Sequence, residues 1–268
     1  MGTAKQHNVS IQGSPDGQPM LFAHGFGCDQ HMWRHVAPRF EDDFRVVLFD
    51  HMGAGNSDVS AYDPERYSSL DGYAADVRQI CHELGLSDVI FVGHSVSAMI
   101  GGLAAAAEPE LFSKLVFVGP SPCYINDEDN DYIGGFGEDD IKELLESLES
   151  NYLGWSSAIA PVIMGNPERP ELVEELTESF CRTDPAIARR FAEVTFLSDN
   201  RADLARIPLP TLVLQAKSDA IAPVAVGEYV AAQLPRSTYV LLDATGHCPN
   251  LSAPDETYAA IAAFVRDR

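Results

Sequence analysis

The segment Val89-Ile90-Phe91-Val92-Gly93-His94-Ser95-Val96-Ser97-Ala98 constrains the fold of this chain more than any other. Four apolar residues lead to a glycine, a serine follows at a turn, and a run of small and apolar residues begins. An apolar run of that length suits a strand buried on both faces of a parallel sheet. The residues from Val96 to Ala107 read as a helix. A strand that feeds a helix through so sharp a turn needs small flanking residues, because the two elements nearly touch. With serine at the turn, this is the context of a nucleophile elbow, whose common form is G-x-S-x-G. Here Ser97 takes the last position; it is small enough, but any backbone angle that requires glycine would be strained there. Taken alone, the same residues also describe a serine that only caps a helix.

The rest of the chain supplies the sheet. Met20–Ala23, Val46–Phe49 and Leu115–Val118 are further short apolar runs, and Ser69–Leu84 has a helical pattern. Strands alternating with helices imply βαβ units and a parallel sheet. The pattern changes after Pro122. Between Asn126 and Asn200 no strand is expected; Asp139–Glu149, Trp155–Met164, Glu171–Cys181 and Pro185–Leu197 read as helices, with Pro161 expected to kink or shorten the second. Strands resume at Thr211–Gln215 and Thr238–Leu242, with a helix at Val224–Leu234 between them and a last one at Pro254–Arg266, which begins on a proline. The expected fold class is α/β: a mostly parallel central sheet flanked by helices. Residues 1–125 and 201–268 form its core, and residues 126–200 form an inserted four-helix lid. A length of 268 residues is normal for one such domain.

A nucleophilic serine needs a base to take its proton and an acid to fix the tautomer of that base. Asp219 follows the strand Thr211–Gln215, and His247 follows the strand Thr238–Leu242. Both stand at C-terminal strand ends, where open α/β sheets place ligands. The chain order serine, acid, histidine is that of α/β hydrolases. Ser95, Asp219 and His247 are therefore the expected catalytic residues. The oxyanion hole is expected from the backbone N–H groups of Val96, next after the nucleophile, and of Phe26, in the His24-Gly25-Phe26-Gly27 loop after an early strand.

Other features exclude alternatives. Asp50-His51-Met52-Gly53-Ala54-Gly55-Asn56-Ser57 is a glycine-rich turn that completes neither a dinucleotide fingerprint nor a phosphate loop, so it reads as scaffold. The remaining histidines show no metal-ligand spacing, and no metal or cofactor is expected. His94 reads as a packing residue of the elbow, and Cys248 as a small buried residue rather than a nucleophile. The formal charge of −22 opposes nucleic acid and anionic membranes. Five widely spaced cysteines argue against a disulfide framework. The start of the sequence shows no secretory h-region, and Gln6 breaks the myristoylation pattern. These features lead to the expectation of a cytoplasmic protein with no membrane partner.

Three segments carry a resemblance: Leu21-Phe22-Ala23-His24-Gly25-Phe26-Gly27-Cys28-Asp29-Gln30, Gly93-His94-Ser95-Val96-Ser97-Ala98-Met99-Ile100-Gly101 and Gly119-Pro120-Ser121-Pro122-Cys123-Tyr124. They resemble the RsbQ-like bacterial stress-response hydrolases and their plant relatives, the strigolactone and karrikin receptors. Ser97 agrees with the form common in the plant receptors. The resemblance implies a Ser-His-Asp site beneath a V-shaped four-helix lid, acting on a small hydrophobic ester or lactone. It also implies that Phe26, Phe136, Trp155, Ile159 and Phe196 line the pocket, with Ile159 standing where plant relatives tend to carry an aromatic. RsbQ-like proteins act with a partner phosphatase, which leaves a second expectation open: a slow ligand sensor read by a protein partner. Perhydrolysis and C–C cleavage use the same triad and stay open as well.

Overall fold

A computed structural model describes residues 2–267. Seven strands form one sheet in the order β1-β3-β2-β4-β5-β6-β7. They are β1 (Ser10–Gly13), β2 (Gln18–Ala23), β3 (Phe44–Leu48), β4 (Val89–His94), β5 (Phe112–Val118), β6 (Thr211–Ser218) and β7 (Ser237–Thr245). The β1–β3 pair is antiparallel; every other pair is parallel. The helices are α1 (Thr3–Gln6), α2 (Leu70–Glu83), α3 (Val96–Ala107), α4 (Glu138–Ser150), α5 (Tyr152–Met164), α6 (Pro170–Arg182), α7 (Pro185–Phe196), α8 (Val224–Gln233), α9 (Pro249–Ser252) and α10 (Pro254–Arg266).

The apolar runs are strands because both of their faces are covered. Met20, Phe22, Ile90, Val92, Val116 and Val118 enter one core with α10. Leu21, Ala23, Phe91, Leu115 and Phe117 point the other way, into a second core with α2 and α3. Alternation along a strand thus serves two apolar layers, each buried Val, Ile or Phe contributing roughly 1.5–3 kcal/mol. Strand β4 is buried at all six positions and lies between β2 and β5. Its central place sets the elbow in the middle of the sheet.

Two local expectations change. Strand β1 was not expected: its residues are half-buried or exposed, so no apolar run marks it, and the backbone ladder to β3 holds it at the sheet edge. Pro161 does not end α5, which continues to Met164. That helix also starts earlier than expected, because the Asn151 side chain accepts from the Gly154 N–H at 3.1 Å and caps it.

Helices α4 to α7 lie between β5 and β6 in sequence. Their segment leaves and rejoins the sheet at one neck. Cys123 pairs with Asp199, and the Asn200 N–H donates to the Pro122 carbonyl at 2.7 Å. Arg201 clamps both chains of the neck, donating to Asp199 and to Asp127. At the far side, the orphan carbonyl of Ile163 near the C-terminus of α5 accepts the His247 N–H at 2.8 Å. The four helices therefore cover the C-terminal ends of the strands. Among the described residues, no helix is long and apolar enough to cross a membrane.

Candidate active site

Ser95 sits between β4 and α3 with φ 57° and ψ −126°, a conformation that side chains other than glycine rarely adopt. Three observations account for it. The Ser95 N–H donates to the Val118 carbonyl at 2.8 Å, which pins the turn to β5. A Cβ on Gly93 would stand 2.5 Å from the Ser97 carbonyl oxygen, so strand and helix meet there and only glycine fits. Ser97 itself has no positive φ. The last motif position therefore does not need glycine in this chain.

The three expected catalytic side chains meet. His247 Nε2 lies 2.8 Å from Ser95 Oγ, and His247 Nδ1 lies 2.8 Å from an Asp219 carboxylate oxygen. All three are buried. The other Asp219 oxygen accepts the N–H groups of Ile221 at 2.8 Å and Ala222 at 3.0 Å. Burial pushes the Asp219 carboxyl up, but the nearby His247 and these donors outweigh it and hold it below its ordinary value. An ionised Asp219 accepts a hydrogen bond from His247 Nδ1–H, so the Nε2 lone pair faces the Ser95 hydroxyl. That tautomer accepts the serine proton.

The early loop lies against the elbow. A Cβ on Gly25 would stand 3.1 Å from Ser95 Cβ and 2.5 Å from His94 Nδ1. Among the described residues, neither the Phe26 N–H nor the Val96 N–H has a hydrogen-bond partner. The Phe26 ring is wedged among Trp155, Phe180, Phe191 and Phe196, with centroid distances of 5.6 to 6.1 Å. At Gly27 (φ 75°) a Cβ would overlap the Phe180 ring.

Ser95 and His247 open into a narrow cavity of about 30 Å³. Phe26, Trp155, Ile159 and Phe196 line it, as the resemblance implied. Phe136 does not line it, and that expectation is corrected. Behind the turn at Gly134 and Gly135 (φ 106°), Phe136 pairs its backbone with Tyr124 and Asn126, and its ring packs on the core. The structure adds residues the sequence did not single out: Cys28, Leu144, Ile163, Leu176, Ile221 and, closest to the chemistry, Tyr124. The Tyr124 hydroxyl lies 3.5 Å from Ser95 Oγ, and burial pushes its pKa up to about 12, so it remains a donor. The sequence gives Tyr124 no role, because nothing local ties it to a serine 29 residues away.

His94 and Cys248 are neutral parts of the wall. His94 Nε2 lies 2.8 Å from the His247 carbonyl, and burial drives its pKa down to about 3. It is more than packing, since as a neutral donor it holds the backbone of the base. The neighbouring Cys28 thiol and burial together push the Cys248 thiol well above its ordinary range, which makes a thiolate nucleophile there unfavourable. In the glycine-rich turn, the Asp50 carboxylate accepts from Gln30 N, Asn8 Nδ2 and Asn56 N at 2.8 to 2.9 Å, a scaffold role. Among the described residues, no group of three His, Cys, Asp or Glu side chains could hold a metal ion.

The alpha/beta hydrolase fold family matches residues 18–254. A karrikin insensitive 2 receptor of Petunia hybrida is 42% identical over 257 residues, covering 95% of this chain and 94% of its own. The strigolactone esterase D14 of Arabidopsis thaliana is 40% identical over 260 residues, covering 97% and 94%. A solved hydrolase of Oleispira antarctica, olei00960, superposes with a TM-score of 0.96 at 40% identity, covering 99% of this chain and 97% of its own.

Proposed function

The chain belongs to the alpha/beta hydrolase fold family, and from that premise we propose that it is a serine hydrolase that cleaves a small hydrophobic ester or lactone through an acyl-enzyme on Ser95. The observation that carries this reading is the unbroken path from Asp219 through His247 to Ser95, with both hydrogen bonds at 2.8 Å, ending in a mostly apolar cavity.

The reaction follows from the geometry. His247 Nε2 takes the Ser95 proton as Oγ attacks the carbonyl carbon. Asp219 stabilises the imidazolium that forms. The Phe26 and Val96 N–H groups, without a partner among the described residues, receive the oxyanion. His247 then protonates the departing alkoxide, which in a lactone stays attached to the acyl chain. A water molecule, activated by the same imidazole, releases the acyl group. Aromatic and aliphatic walls favour an apolar acyl or ring, and Tyr124 offers a hydroxyl to a polar edge of the ligand. Residues 126–200 act as the lid that keeps bulk water out.

A second reading is favoured by one observation. The relatives include both named esterases and named receptors at about 40% identity. In that reading, slow hydrolysis sets the state of a sensor whose lid is read by a protein partner, such as a phosphatase in an RsbQ-like stress pathway. The five free cysteines and the acidic charge support a cytoplasmic setting for either reading.

The test is hydrolysis of a short-chain p-nitrophenyl ester and of a butenolide lactone by wild type and Ser95→Ala, with intact mass spectrometry. Loss of a nucleophile of this kind costs about 10⁶ in kcat. Activity that vanishes in the variant, with an acyl adduct on Ser95 in the wild type, supports the hydrolase. Multiple fast turnovers favour the enzyme, and a single slow turnover favours the sensor. Equal rates in the two proteins overturn the triad.

A further inference from the structure

Three buried side chains outside the triad form a closed set of hydrogen bonds between the elbow and the early loop. The His51 N–H donates to His24 Nε2 at 3.0 Å. His24 Nδ1 lies 2.9 Å from the Gly25 carbonyl. His51 Nε2 lies 2.7 Å from Ser97 Oγ, and Ser97 Oγ donates to the His24 carbonyl. His24 and Ser97 are 0% exposed and His51 is 1% exposed, so no solvent substitutes for these partners.

Only one arrangement of protons satisfies the set. A backbone N–H only donates, so His24 Nε2 is an acceptor and the His24 proton sits on Nδ1. A carbonyl only accepts, so that proton points at the Gly25 oxygen. Ser97 has one proton, which the His24 carbonyl takes; Ser97 must therefore accept from His51, whose proton sits on Nε2. His51 Nδ1 is left bare, and it has no partner among the described residues. The His51 ring packs against those of Phe49, Tyr73 and Phe191. Burial lowers the pKa of both imidazoles, which keeps them neutral.

The Gly25 carbonyl and the Phe26 N–H belong to one planar trans peptide and point in opposite directions. Fixing the carbonyl fixes the N–H. We propose that His24, His51 and Ser97 are positioning residues that aim the Phe26 N–H at the oxyanion and hold it in register with the Val96 N–H. Ser97 stands one residue beyond Val96, so it ties the two donors of the oxyanion hole together. The serine that replaces the last glycine of the common elbow motif is the link. This rests on the hydrolase reading above.

Two measurements test it. Long-range ¹H–¹⁵N spectra of the full-length wild-type chain should show His24 as the Nδ1–H tautomer and His51 as the Nε2–H tautomer; the reverse assignment for either overturns the network. With a p-nitrophenyl ester, Ser97→Ala and His24→Leu should lower kcat about ten- to a hundredfold with KM within about threefold, because a misaimed donor acts on the transition state. His24→Asn, whose amide N–H replaces the Nδ1 donor, should recover most of the loss. Ser95-dependent turnover in the wild type, with Ser97→Ala within twofold of it, overturns the positioning role and leaves the hydrolase reading intact. No Ser95-dependent turnover in the wild type removes the hydrolase reading itself.

Discussion

His94→Gln tests how the buried histidines are held neutral. In the folded protein His94 donates Nε2–H to the His247 carbonyl, with Gly25 packed against Nδ1, and its pKa is lowered to about 3 by burial and then by His247. In the unfolded chain it titrates near its ordinary value of 6.5. Between those values the unfolded chain binds a proton that the folded protein refuses. Stability from this group is thus intact above pH 6.5, falls as the pH drops through the window, and levels off below about 3. The slope is about 1.4 kcal/mol per pH unit. Integrated from pH 7 to pH 5, the loss from His94 alone is about 2 kcal/mol. Glutamine keeps a donor near Nε2 but cannot titrate. Urea unfolding at pH 7, 6 and 5 should therefore show the variant losing about 2 kcal/mol less than wild type over the range. His24 and His51, also lowered by burial, titrate in both proteins and cancel in the difference. Asp219, held below its ordinary carboxylate value, stays ionised throughout. Parallel pH dependence in wild type and variant would refute the reasoning, because His94 would then not be a desolvated neutral donor.

Two further substitutions probe the site by shape. Gly25→Ala puts a methyl 3.1 Å from Ser95 Cβ and 2.5 Å from His94 Nδ1, so the loop must retreat from the nucleophile; kcat should fall about a hundredfold, and a fall of less than threefold in ester kinetics would show that the loop does not serve the oxyanion. Ile159→Phe adds volume at a cavity wall; the KM for a p-nitrophenyl hexanoate should rise severalfold while that for the acetate stays within about twofold, and equal effects on both esters would mean that Ile159 does not border the acyl group.

The strands legible in the sequence are those buried on both faces. Strands β2 through β6 betray themselves by apolar runs because each faces two cores, as Leu21 and Phe22 do on opposite sides of β2. Strand β1 carries no such mark. Ser10, Gln12 and Gly13 sit at an edge, held by ladder bonds to Leu48, Val46 and Arg45, and a backbone ladder leaves no trace in side-chain polarity. The meeting of Ser95, Asp219 and His247 was legible for a related reason. Parallel strands in one sheet all end on the same side, so residues just past three strand ends share a neighbourhood whatever their separation in the chain. Phe136 is not among the lining residues, and residue type alone does not report the path of the backbone, which here pairs Phe136 with Tyr124 and Asn126 behind the turn at Gly134 and Gly135.

The histidine and serine set behind the oxyanion loop was hidden for a different reason. Each member looked ordinary alone: His24 as part of a glycine turn, His51 as scaffold, Ser97 as a tolerated departure from glycine. Their meaning lies in mutual satisfaction. A buried hydroxyl or imidazole without a partner costs about 1–3 kcal/mol, so removing one of the three strands a polar group on another. With glycine at position 97, the His24 carbonyl would lose the Ser97 donor and His51 Nε2–H would lose its acceptor. The motif's last position and the histidine after β3 are therefore one choice. A chain that keeps His51 in this tautomer needs a hydroxyl at position 97, and a chain with glycine there must satisfy or remove the imidazole proton in some other way. The elbow of this protein is defined by that coupling as much as by its nucleophile.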